Sequence, residues 1–135
     1  MTSFPLRIVS PDGVEFDGLA EELIVRTTSG DMGILAGHVS CVAPLGMGRA
    51  TVVTEGKRRY AACIGGMLSV VNGQVTIVAT TFEWAEDIDI ARTETAMRNA
   101  QAQLKRKDLS QREVSLAEAK LRRALVRKNV ATGNK

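Results

Sequence analysis

The side chains best placed to do chemistry sit where the sequence changes character. Residues 86–104 read EDIDIARTETAMRNAQAQL, and within them Asp89 stands three residues ahead of Arg92 in Ile88-Asp89-Ile90-Ala91-Arg92. At a helix start a carboxylate accepts backbone N–H bonds and complements the positive end of the helix dipole. Asp89 therefore reads either as a cap, with Arg92 an exposed first-turn residue, or as part of a site that holds a ligand. The remaining candidates for chemistry are poorer. His38 follows Gly37 with no nearby Asp, Ser or Cys motif, so it reads as a structural or interface residue rather than a catalytic base. Cys41 and Cys63 form no CxxC pair, and one His leaves too few ligands for zinc. They read as reduced, buried thiols of a reducing compartment. Gly65-Gly66 lacks a G-x-G-x-x-G context and reads as a bulge or a close backbone approach. No GxxxxGK[ST] loop exists, so no ATPase chemistry of that kind is implied.

Charge divides the chain more sharply than composition does. Residues 1–104 carry 8 Lys or Arg against 12 Asp or Glu, a net of −4. Residues 105–135 carry 10 against 3, a net of +7, which suits an anionic partner surface. The chain's 135 residues suffice for one small domain and an appendage. No apolar run approaches the roughly 20 residues that span a bilayer. The N-terminus MTSFPLRIVS has neither a signal core nor a transit pattern. A soluble protein, without direct membrane insertion, is expected.

The elements that position these residues follow from periodicity. LRIVS, VEFDG, EELIVRTT, GRATVVTEGKRRYAACIG and MLSVVNGQVTIVAT read as short strands, with turns at PDG, Glu55-Gly56 and Asn72-Gly73. TTSGDMGILAGH, with three glycines in eight residues, reads as a loop or a bulged strand. Turn signals every 8 to 12 residues without a helical pattern indicate a β-sandwich or barrel, the sandwich being the simpler solution. From about Asp89 the period becomes helical. Thr93, Met97, Ala100 and Leu104 form one stripe; Val114, Ala117, Leu121 and Leu125 form a second. Ser110 with Glu113 fits a capping box between them. The expected fold is mainly β plus α: a sandwich over residues 1–85, then an antiparallel two-helix hairpin over 86–135. Both stripes are thin and rich in Ala, so the hairpin's own packing stabilises it little. Ordering some 40 residues costs more than about 1 kcal/mol each, so this element is marginal alone and suited to movement.

In order along the whole chain, FPLRIVSPDGVEFDG, SGDMGILAGH, IGGMLSVVNGQVTIVA and EDIDIAR resemble the epsilon subunit of bacterial and chloroplast F-type ATP synthases. The resemblance implies a non-catalytic part of a rotary motor. Its sandwich would bind the gamma subunit of the central stalk and sit on the membrane rotor ring of c subunits. Its hairpin would move between compact and extended states, reach the alpha/beta catalytic head through its basic residues, and inhibit ATP hydrolysis. Asp31 and His38 fall at positions implied to contact the rotor ring and stalk.

A subset of that family binds ATP through an I/L-D-x-x-R-A motif, which Ile88, Asp89 and Arg92 resemble. On that resemblance Ile88 packs on adenine, Asp89 accepts from its exocyclic amine, and Arg92 neutralises phosphate. Arg123 and Arg127, four apart on one helix face, join it, and Glu83 lines the site. Thr93 stands where the motif has Ala, and Asn99 where nucleotide-binding members have Arg, with Arg98 adjacent. No cofactor is required, and ATP is the expected regulatory ligand. The implied location is peripheral, at the cytoplasmic face of a bacterial plasma membrane, with the thylakoid stromal face as the alternative.

The competing class is a small β-domain nucleic-acid-binding protein with a basic helical tail. One Trp, one Tyr and three Phe supply no stacking platform, and the negative residues 1–104 oppose it. A free-standing enzyme finds no nucleophile–base pair, metal cluster or phosphate loop.

Overall fold

The computed structural model describes residues 2–133, which divide after Trp84 into two compact units. The first holds eight strands: β1 (Phe4–Ser10), β2 (Gly13–Ala20), β3 (Glu22–Thr27), β4 (Gly30–Ile34), β5 (Cys41–Pro44), β6 (Met47–Thr54), β7 (Lys57–Val71) and β8 (Gln74–Trp84). They hydrogen-bond in the order β2-β1-β8-β7-β6-β3-β4, with β5 also on β7. β1 and β8 run parallel; the other pairs are antiparallel.

One continuous sheet becomes a sandwich because its longest strand serves both layers. The first half of β7 pairs with β6 from Lys57 to Ile64, and its second half pairs with β5 from Met67 to Val70. Gly65 and Gly66 make the bend between the halves, at φ +74° and +117°. A Cβ on Gly66 would overlap the Val78 carbonyl oxygen, so the neighbouring strand approaches as only glycine permits. β5 and β6 bend beside it. The Leu45 N–H donates to Gly66 O at 2.9 Å, and the Gly65 N–H donates to Gly46 O at 3.0 Å. Strands that change layer at such bends are one solution for closing a sandwich.

The two inner faces supply the core. Leu6 and Ile8 on β1, Leu23 on β3, Ile34 on β4, Leu68 on β7 and Ile77 on β8 are fully buried. Along β1 and β8 they alternate with more open residues, the period-2 signature of a half-buried strand. Asn72-Gly73 and Glu55-Gly56 both have positive φ at each residue, the geometry of two-residue hairpin turns that match strand twist. The glycine-punctuated stretch resolves as strand β4 after a tight turn. There the Thr27 hydroxyl donates to Gly30 O at 2.7 Å and accepts from the Ser29 N–H at 3.1 Å. Of the two thiols only Cys63 is buried; Cys41, on short β5, is half-open, contrary to expectation. Trp84 closes β8. It meets Phe82 edge-on at 5.0 Å, and the Arg59 guanidinium stacks 3.7 Å from its ring centre.

The second unit opens with a 3-10 turn, Ala85–Asp87, followed by α1 (Ile90–Leu104) and α2 (Gln111–Ala131). Residues 105–110 connect the helices, a length that turns them antiparallel. At α2 the Glu113 N–H donates to Ser110 Oγ at 3.1 Å, and the Ser110 N–H donates to Glu113 Oε1 at 3.2 Å, completing the capping box. The buried helical residues are Thr93 and Ala100 on α1 and Ala117, Ala124 and Val130 on α2. Leu125, placed in the second stripe by spacing, is 38% exposed. Both three- and four-residue steps keep a helical face, and after Leu121 the step of three, to Ala124, is the one that turns inward.

Candidate functional site

The start of α1 is built around Asp89. Its extended backbone, at φ −80° and ψ 103°, ends the approach to the helix, and its Oδ1 accepts the Arg92 N–H at 3.0 Å. The carboxylate is thus engaged as an N-cap, and its charge faces the positive end of the helix dipole. The Arg92 side chain is exposed. Thr93, one residue on, is fully buried, and its hydroxyl donates to Asp89 O at 2.8 Å. This bond uses a carbonyl that already accepts the Thr93 N–H at 3.0 Å. Spacing alone places Thr93 only in the helical stripe, although a Thr four residues after a cap is the sequence signature of this bond.

Antiparallel packing brings the last turns of α2 to the end of the hairpin where α1 begins. Arg123 is exposed there, while Arg127 is half-buried with its Nε enclosed. Asp89, Arg92, Arg123 and Arg127 therefore share one end of the hairpin, a carboxylate and three guanidinium groups. Such a set can hold an anion with an amine-bearing portion. Ile88 is only 7% exposed, so little of its side chain is open to a ligand. Asn99 and Arg98 are exposed on α1, and Arg98 Nη2 donates to Thr95 Oγ1 at 3.3 Å. Glu83 belongs to the other unit, half-buried on β8 opposite Ala62.

Asp31 lies on β4 directly across from Arg26, whose Nε stands 3.2 Å from Asp31 Oδ1. Both side chains are largely open to solvent, where such a pair contributes at most about 1 kcal/mol. The pairing was hidden in the sequence because it depends on the register of the β3–β4 turn. His38 ends a turn in which its N–H donates to Leu35 O at 3.2 Å and Gly37 adopts φ +84°. Its Nδ1 lies 2.8 Å from Val39 O. A carbonyl only accepts, so in this contact Nδ1 is the donor. Leu35 and Val39 on either side are strongly exposed. Among the described residues no group of His, Cys, Asp and Glu converges to hold a metal ion. Among the described residues no helix is long and apolar enough to cross a membrane. Burial pushes the Cys63 thiol up to about 11.

Comparison with known proteins covers both units. Residues 3–85 match the family described as ATP synthase, Delta/Epsilon chain, beta-sandwich domain. Residues 86–132 match ATP synthase, Delta/Epsilon chain, long alpha-helix domain. The ATP synthase epsilon chain of Ruminococcus albus is 39% identical over 132 residues, 97% of this chain and 98% of the relative. That of Bacillus velezensis is 40% identical over 131 residues, again 97% and 98%. Among solved structures, a chain of the Euglena gracilis mitochondrial ATP synthase, in its OSCP/F1/c-ring assembly, superposes with a TM-score of 0.79 at 26% identity. That match covers 90% of this chain and 77% of the other. A chain from the central stalk and c-ring of the Tetrahymena thermophila enzyme, at TM-score 0.63 and 11% identity, shares the fold.

Proposed function

The chain belongs to the ATP synthase delta/epsilon family, non-catalytic chains of the rotary enzyme, and from that premise we propose that its two units divide transmission from control. In this reading the sandwich binds the gamma subunit and rests on the c-ring, with Asp31 and His38 on the ring-facing side. The complex lies at the cytoplasmic face of a bacterial plasma membrane. The hairpin opens, reaches the alpha/beta head through its basic residues and suppresses ATP hydrolysis. ATP, held by Asp89, Arg92, Arg123 and Arg127 with Ile88 beside Asp89, favours the compact hairpin.

The observation that carries the regulatory half is the helical interface. Of its five buried residues three are Ala and one is Thr, so closing the hairpin buries little apolar area. An element held this loosely is shifted by modest free energies. Opposite charges at partly screened positions contribute about 1 kcal/mol per pair. Several such pairs, drawn from the net +7 of residues 105–135, suffice to favour an open state on an acidic surface.

The test is ATP hydrolysis by the host synthase particle stripped of this chain and reconstituted with it. The parent should suppress hydrolysis, and a variant with Arg112, Lys120 and Arg122, exposed basic residues of α2 outside the nucleotide-holding set, changed to Gln should suppress it less while still binding. A parent that binds without altering hydrolysis would remove the regulatory role and leave the stalk role standing.

A further inference from the structure

One residue of the hairpin joins its buried side to the carboxylate at the start of α1. Thr93 is fully buried, at 0% exposure, whereas Asp89, one turn before it, is exposed. Both donors of Thr93 meet the Asp89 carbonyl oxygen, the N–H at 3.0 Å and the hydroxyl at 2.8 Å. Asp89 Oδ1 takes the Arg92 N–H at 3.0 Å, so Oδ2 is the carboxylate oxygen left to face a ligand. A hydroxyl bonded to the carbonyl four residues back is common inside helices. Thr95 makes the same bond on the exposed face, to Ala91 O at 3.0 Å, and ties nothing beyond the helix itself. At Thr93 the carbonyl belongs to the N-cap. Asp89 stands outside the helix, with extended backbone at φ −80° and ψ 103°, so no earlier turn of α1 fixes it.

We propose that Thr93 is the positioning residue of the nucleotide site: fixed by burial in the closed hairpin, it holds Asp89 through the shared carbonyl and aims the carboxylate at the adenine amine. The proposal rests on the nucleotide reading of this end of the hairpin and specifies how ligand and closure communicate. In a helix a Thr side chain divides between two rotamers, because its hydroxyl can bond a carbonyl one turn back, and burial holds it in one. With Ala100, Thr93 lies on the buried side of α1, and α1 packs along α2. Separating the helices uncovers Thr93 and restores its second rotamer, and Asp89 then loses its aim. A ligand that grips Asp89 favours, in return, the state in which Thr93 is buried. The two effects are one coupling free energy seen from its two ends. The hydroxyl also suits a part that moves. It is satisfied within its own turn, so closing the hairpin buries no unpaired donor and needs no polar partner on α2.

The experiment titrates the full chain calorimetrically with ATP and with inosine triphosphate, which lacks the exocyclic amine. Thr93→Val keeps the branched shape and removes the hydroxyl. Thr93→Ser keeps the hydroxyl and removes the methyl, and Thr95→Val removes the equivalent bond on the exposed face. Unchanged helical circular dichroism confirms that each variant folds. The parent should prefer ATP. Thr93→Val should weaken ATP about fivefold, the scale of one net hydrogen bond, and inosine triphosphate by less than about twofold, so the preference narrows. Thr93→Ser and Thr95→Val should stay within about twofold of the parent for both nucleotides. Equal weakening of the two nucleotides in Thr93→Val would make Thr93 a packing residue only and overturn the proposal. So would parent-like ATP binding by Thr93→Val, or a loss in Thr93→Ser or Thr95→Val as large as that in Thr93→Val. A parent that binds neither nucleotide, or both alike, would instead overturn the reading of Asp89 as the partner of adenine, and the proposal with it.

Discussion

Replacing Asp89 separates two tasks that one carboxylate can perform. Its Oδ1 receives the Arg92 N–H at 3.0 Å, so Asp89→Ala removes an N-cap worth about 1 kcal/mol. That corresponds to about a fivefold change in the opening of the first turn. Asp89→Ser keeps the cap, since serine ranks with aspartate there, but its short side chain cannot extend to a bound nucleotide. Amide hydrogen exchange at Arg92 reads the cap, and calorimetric titration with ATP and ADP reads the ligand. Exchange should quicken about fivefold in Asp89→Ala and stay near the parent in Asp89→Ser. If Asp89 accepts from the adenine amine, both variants lose ATP binding. A serine variant that binds ATP like the parent would refute the nucleotide role of Asp89 and leave it a cap alone. No binding by a folded parent would remove ATP from the regulation altogether, and Thr93 would be the first residue to revert to Ala.

Further outcomes follow from other parts of the fold. Gly66→Ala must place a Cβ against the Val78 carbonyl at φ +117°, so it should destabilise the sandwich by at least about 3 kcal/mol and lower its melting temperature by more than about 12 °C. Ser110→Ala should cost about 1 kcal/mol in the first turn of α2, visible as faster exchange at the Glu113 amide, with the sandwich melt unchanged. Cys63 has its thiol raised from 9.0 to about 11, so the folded chain holds this proton while the unfolded chain releases it. The associated stability is complete below pH 9 and is lost as the pH rises toward 11, by about 1.4 kcal/mol at pH 10. Urea midpoints at pH 7 and 10 should therefore fall further for the parent than for Cys63→Ala.

What could be read from the sequence was what depends on a few adjacent residues. Asn72-Gly73 and Glu55-Gly56 announce their turns because each turn's positive φ values are local demands. Ser110 and Glu113 announce a capping box for the same reason. The bend at Gly65-Gly66 was legible only as a glycine oddity. Its cause, the Val78 carbonyl on the next strand, depends on a register that no local pattern encodes. The Arg26–Asp31 pair was hidden in the same way. It joins residues that become neighbours only after strands are paired. Leu125 was misplaced because spacing alone does not choose between steps of three and four, and the smaller Ala124 allows the closer approach.

The caps and the interface of the hairpin differ in what they require. Asp89 engages a backbone N–H of α1, and Ser110 and Glu113 engage each other's backbone within α2. Neither helix needs the other for these bonds. The buried helical positions are chiefly Ala100, Ala117 and Ala124, small side chains whose burial contributes little each. Separating the helices therefore sacrifices the weaker set of interactions and keeps the local set intact. With 15 residues α1 lies at the length below which an isolated helix is marginal in water, and a cap of about 1 kcal/mol bears most where the balance is that close. The bent sandwich has no such freedom, because Gly66, Leu45 and Gly46 tie β5, β6, β7 and β8 together at one point. A chain so divided can keep one unit fixed while the helices of the other separate, which is the physical requirement of the control role proposed for the hairpin.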